Sequence, residues 1–126
     1  MATFYTTNIF FLSQSFLFIF SSHRHTMKVV IKKSDRPGKK LMAIFTKDTG
    51  MRRTKTTYFG KAGMDDYTLT NDTSMEQRTR YWQRHKKDLK TNDPTRAGYL
   101  SYHILWGDTT SRKENIKSYK KRFNLS

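Results

Sequence analysis

The spacing of apolar residues changes period part-way along the chain. From Met27, Val29 and Ile31 alternate with Lys28, Val30 and Lys32, the two-residue period of a half-buried strand. Leu41-Met42-Ala43-Ile44-Phe45-Thr46 is apolar on both faces, which predicts a central strand. Thr54-Lys55-Thr56-Thr57-Tyr58-Phe59 is rich in β-branched and aromatic residues, the composition of a third strand. Between them lie Ser34-Asp35-Arg36-Pro37-Gly38 and Lys47-Asp48-Thr49-Gly50, both with turn chemistry. Gly60 and Gly63 end the third strand, and Asp65-Asp66-Tyr67-Thr68 begins a loop or short strand. Three strands joined by short turns predict an antiparallel meander, which needs a helical layer on one face to be stable.

The period then becomes helical. Thr73-Ser74-Met75-Glu76 has the form of a capping box, with Thr73 capping and Glu76 reaching back. The helix should run to about Leu89 and stop before Asn92-Asp93-Pro94, because the residue before proline avoids helical geometry. Met75, Trp82 and Leu89 recur at heptad spacing and form the expected buried stripe. Arg78 and His85, with Tyr81, fall beside that stripe, and Arg80, Arg84 and Lys87 fall opposite it. A second helix, about Thr95 to Trp106, is apolar nearly all round, which implies burial. Ala97 and Gly98 would let another element approach closely, Gly107 could supply a left-handed cap, and Trp82 and Trp106 should both be largely buried. A third helix opens at Ser111-Arg112-Lys113-Glu114. Ile116, Tyr119 and Phe123 face the core, and Lys113, Lys117, Lys120 and Lys121 lie outside. The fold class is therefore α+β: a three-stranded antiparallel meander followed by three helices, in a basic domain spanning residues 27–126.

Residues 1–26 do not share this pattern. Phe4, Tyr5, Ile9 to Leu12 and Phe16 to Phe20 are apolar, broken by Asn8, Ser13, Gln14 and Ser15, with Arg24 the single Lys/Arg residue. Three readings stand: an over-extended start with Met27 the true one, a membrane anchor at the short limit of a span, or a signal peptide without its positive leader. His23 and His25 are two ligands at most and read as exposed tail residues.

Composition adds a partner class. A chain of 126 residues fits one domain, and its nine Phe, seven Tyr and two Trp are enough aromatic mass for a compact core. The formal net charge is +15, which produces a positive potential that attracts polyanions. The absence of cysteine excludes disulfides, zinc–thiolate sites and a thiol nucleophile.

Three sites can be drawn from these residues. The first is a polyanion surface: Arg80, Arg84, Lys86 and Lys87 on the first helix, Lys113, Lys117 and Lys121 on the third, with Lys55 and Lys61 from the strand region. Lys and Arg neutralise phosphates without reading sequence, and aromatics stack on unpaired bases. An ordinary solvated helix face has the same composition. The second is structural: Arg78 and His85 near the core, with Asp65 or Asp66 as counter-ion, holding the 60–72 loop onto the helix. The third is a metal-dependent nuclease built from Asp65, Asp66, Asp72, Glu76 and His85, which no known ligand spacing supports. No P-loop, dinucleotide fingerprint or nucleophile elbow is present, so no cofactor is expected and no reaction is indicated.

Tyr58-Phe59-Gly60, Asp66-Tyr67-Thr68, Arg78-x-x-Tyr81-x-x-Arg84-His85-Lys86-Lys87, Ala97-Gly98-Tyr99-Leu100-Ser101 and Leu105-Trp106 occur in this order. The order resembles a family of small basic proteins without assigned function in nucleocytoplasmic large DNA viruses of algae and protists. The resemblance covers about residues 28–125. The chain departs from that pattern at Thr70-Asn71-Asp72, where the family has His-Lys-Asp. The resemblance implies a virion or infected-cell setting and supplies no reaction. The expected partner is nucleic acid, DNA or RNA, bound without sequence specificity. The alternative is a virion structural or protein-interaction role against an acidic protein, with a membrane partner only if residues 1–26 anchor the chain.

Because residues 1–26 share neither charge nor period with the remainder, a 27–126 fragment should be soluble and melt with the same cooperativity as the full chain, checked by calorimetry.

Overall fold

The computed structural model describes residues 27–47, 53–69 and 74–126. Residues 1–26, the tip of the second turn, Asp72 and Thr73 lie outside these. The described chain is α+β: a three-stranded antiparallel sheet followed by three helices. Strands β1 (Met27–Lys33), β2 (Lys39–Lys47) and β3 (Arg53–Lys61) lie in the order β1-β2-β3, so the strand that is apolar on both faces is central. Its register pairs Val29 with Phe45 and Leu41 with Phe59. Val29, Leu41, Ala43, Phe45 and Phe59 thereby share one face and are buried.

Helix α1 (Met75–His85) runs on as a 3-10 turn, Lys86–Thr91, and stops at Asn92 in the left-handed conformation. Helix α2 (Ala97–Leu100) continues without a break as a π-helical turn, Ser101–Leu105. Helix α3 (Arg112–Arg122) closes the fold. Leu100, Ile104 and Leu105 from the α2–π segment and Tyr119 from α3 cover the apolar face of the sheet. These four are fully buried, which makes the α2–π segment the hub of the core. Each sheet edge meets another segment, β1 through backbone bonds and β3 through side chains. The C-terminal residue Ser126 exchanges backbone bonds with Met27 and Val29 on β1. On β3, Lys55 and Thr57 bond to Thr95. An edge left bare is a template for pairing with other chains.

Several local expectations are corrected. The first cap is Ser74, not Thr73. Ser74 accepts from the Gln77 amide while the Gln77 side chain accepts from the Ser74 amide, so the box is shifted by one residue and closed by glutamine rather than Glu76. The expected stripe of Met75, Trp82 and Leu89 is not the buried face. Met75 is 56% exposed, Trp82 and Leu89 are half-buried, and Arg78 is the residue of α1 that is buried. Trp106 is half-buried too. The helix is rotated because Arg78 and Trp82 find hydrogen-bond partners at the end of the π turn, and no apolar residue there could satisfy them.

Gly107 is not a left-handed cap. The positive-φ glycines are Gly38, Gly60 and Gly63. Gly107 is needed for space, since a Cβ there would lie 2.3 Å from the His103 carbonyl oxygen and 2.7 Å from Asn115 Cγ. Gly98 does permit the close approach expected of it: a Cβ would meet the Asp88 side chain at 2.9 Å.

His103, on the π turn, is half-buried among the rings of Tyr99, Tyr102 and Phe123. Burial pushes its imidazole down to about 4, with Arg122 adding to the effect. An unfolded histidine titrates near 6.5. Between those values the unfolded chain holds a proton that the folded chain does not, so the stabilisation is complete above about 6.5 and is lost as pH falls toward 4. The melting temperature should therefore decline across that window. His103→Phe, which keeps an aromatic ring, should flatten the decline when melts are recorded at half-unit pH steps.

Candidate nucleic-acid interface

The site is built where α1 meets the end of the π turn. The last carbonyls of a helix have no intrahelical partner. Here they accept bonds from four donors in three other segments. Asn115 Nδ2 donates to Ile104, the Tyr67 amide to Leu105, Trp82 Nε1 to Trp106 and Arg78 Nε to Gly107. Arg78 also pairs with Asp108 at 2.9 Å and lies 3.6 Å above the Trp82 ring. Trp82 in turn stacks on Tyr102, and Tyr81 stacks on both His85 and Trp106. Two ladders of near-parallel groups thus fasten α1 to the π turn, with an arginine in the place of an aliphatic residue.

Asp66 is a second fastening. It is buried and accepts from the Thr68 amide and hydroxyl. Its other oxygen meets Lys40 at 2.5 Å and Arg112 at 3.5 Å. Asp66 therefore ties the loop to β2 and α3 and is not the counter-ion of Arg78 or His85; Arg78 meets the loop instead over the Tyr67 ring, 5.5 Å from its centroid. Each of those has a nearer carboxylate: Asp108 for Arg78, and Asp88, 3.2 Å away, for His85. Asp65 is exposed. Arg78 and His85 are the polar groups of α1 nearest the core, as their helical positions implied, with Arg78 buried and His85 half-buried.

Between the end of the β2–β3 pair and α1 lies a cleft of about 500 Å³. Phe59, Leu105 and the Tyr81–Trp106 stack line it, and Lys39, Lys40, Lys61 and Arg84 surround it. Lys39 and Lys61 are direct cross-strand partners, an arrangement of like charges that is unfavourable by itself. Lys40 is neutralised by Asp66, whereas Lys39, Lys61 and Arg84 have no ion-pair partner among the described residues. Asp65, on the same cleft, has no ion pair there, and Asp88 meets only the His85 imidazole, which is an ion pair when that ring is protonated. Burial pushes the Tyr81 hydroxyl up to about 12, partly offset by a hydrogen bond with Ser101, so it stays a neutral donor.

Of the nine cations expected to form a polyanion surface, the structure brings Lys61 and Arg84 together at this cleft. Lys55 lines a neighbouring depression and bonds to Thr95. Arg80, Lys86 and Lys87 are exposed on α1 and its 3-10 extension, outside the cleft lining. Lys113, Lys117 and Lys121 are exposed on α3, which packs on the π turn, and none lines the cleft. Sequence reasoning missed Lys39, Lys40, Asp88, Asp108 and Asn115. Lys39 had a readable signal: with the hairpin in register it must face Lys61. Among the described residues no group of three His, Asp or Glu side chains could hold a metal ion. Glu76 is exposed, and Asp72 lies outside the described residues. Among those residues, too, no helix is long and apolar enough to cross a membrane.

Residues 29–85 match the model of a family of unknown function (DUF5754). The match spans the three strands, the loop carrying Asp66 and helix α1, and so contains the Lys39–Lys61 pair and Arg84. No curated protein and no solved structure matches the chain.

Arg78→Ala should lower stability by ~2–3 kcal/mol, since it removes a charge-assisted bond, an ion pair and a cation–π contact together. The measurement is a shift of the urea midpoint at unchanged m-value.

Proposed function

We propose that the protein binds nucleic acid through its phosphate backbone, without sequence specificity, and that the cationic rim of the cleft is the centre of the contact. The observation carrying this reading is the Lys39–Lys61 cross-strand pair lining the same cleft as Arg84, with no carboxylate paired to any of the three among the described residues. Like charges held side by side are stabilised by an anion placed between them, and phosphate is such an anion. Arg80, Lys86 and Lys87 extend the positive field along the same helix. The resemblance to proteins of large DNA viruses would set this binding in a virion or an infected cell.

A second reading has its own support. The exposed Lys113, Lys117 and Lys121 on α3 lie off the cleft, so this stripe could meet a separate acidic protein in a structural role.

Affinity for DNA should fall steeply with salt, by about 0.9 in the slope of log K against log salt for each duplex phosphate contact. Arg84→Ala should reduce that slope by about one contact and weaken all sequences alike, without lowering the melting temperature. Titrations at four salt concentrations measure it. Absence of DNA and RNA binding at low salt would refute the reading.

A further inference from the structure

The shape of the cleft selects among nucleic acids. We infer that it receives one unpaired nucleotide of a single strand, an inference that rests on the nucleic-acid reading above. A volume of about 500 Å³ is in the range of pockets that enclose a small ligand, and it is far too small for the body of a duplex. Backbone binding to a duplex needs only a charged surface. A recess with apolar walls behind the charges is the arrangement that single strands use, because a phosphate on the rim places its base inward.

The walls suit a base. Phe59 and Leu105 line the cleft, and in the His85–Tyr81–Trp106 stack the middle ring, Tyr81, is covered on both faces, so His85 and Trp106 are the rings with a face not stacked on Tyr81. His85 sits at one end of that stack, its side chain 36% exposed and held by Asp88. Every base has a π-face, so an aromatic wall accepts any of them. Polar groups for base edges are also present, since Ser101, Asp88 and the Tyr81 hydroxyl line the same space. With Lys40 paired to Asp66, Lys39, Lys61 and Arg84 outnumber Asp65 and Asp88 among the lining residues, which leaves a net positive cleft for the flanking phosphates.

The test uses the full chain at fixed low salt with three probes: a twelve-residue oligo(dT), the duplex of the same length, and dTMP. Trp106 lines the cleft and Trp82 does not, so a base entering should quench tryptophan emission. The expected result is that oligo(dT) binds roughly tenfold more tightly than the duplex and quenches, whereas the duplex binds without quenching. Ala97 is exposed at the cleft wall. Ala97→Phe, with its fold checked by thermal melt, should abolish the quench and reduce oligo(dT) affinity roughly tenfold, to the duplex level. Lys39→Ala, at an exposed strand end, is the second variant and should weaken oligo(dT) more than the duplex. Equal affinity and equal quenching by single strand and duplex would overturn the inference and leave the backbone reading standing. Binding of dTMP as tight as that of oligo(dT) would overturn it in favour of a free-nucleotide pocket. If neither DNA form binds, the reading beneath it falls as well.

Discussion

The arrangement depends on satisfying the carbonyls at the end of one buried helical segment. Ile104, Leu105, Trp106 and Gly107 accept bonds from three other parts of the chain. A buried carbonyl without a donor costs about as much as a lost hydrogen bond. These four positions therefore dictate where α3, the 62–69 loop and α1 must lie. The sheet supplies apolar area and the π turn supplies addresses. Gly107 belongs to the same constraint, because the His103 carbonyl and the Asn115 side chain that bonds Ile104 leave no room for a Cβ.

The same economy explains where the charge ends up. Asp66, Asp88, Asp93 and Asp108 are all engaged in internal bonds: to Lys40 and Thr68, to His85, to Thr95, and to Arg78. Four of the chain's 10 acids are thus occupied with holding loops and helix ends. Of its 25 Lys and Arg residues, most are left to face solvent without a partner. The positive field follows from the excess of 25 Lys and Arg residues over 10 acids.

The architecture was legible where it rests on period. Alternation marked β1, the doubly apolar run marked β2 as central, and the all-round apolar segment marked the buried hub. What escaped was decided by partners distant in sequence. Met75 has the better apolar side chain, yet Arg78 is the buried residue, since Gly107 and Asp108 receive it. Asn115 looks like a surface residue on α3 until Ile104 and Thr109 require its amide. Asp66 is matched by Lys40 and Arg112, 26 and 46 positions away, and no local pattern announces either. Of the site, Arg84 and Lys61 were legible as exposed cations. Their convergence was not, because it depends on the hairpin register and the rotation of α1 together.

The paired lysines at the end of the β2–β3 hairpin carry a consequence for how ionic strength acts on this molecule. Lys39 and Lys61 repel one another across the ladder, so the sheet holds a small electrostatic strain at its open end. Dissolved salt relaxes that strain by screening. Under the proposed reading a phosphate placed between the two lysines would relax it too and would stabilise the hairpin. Folding and ligation would then be linked at this one pair, with simple salt and polyanion competing to do the same work.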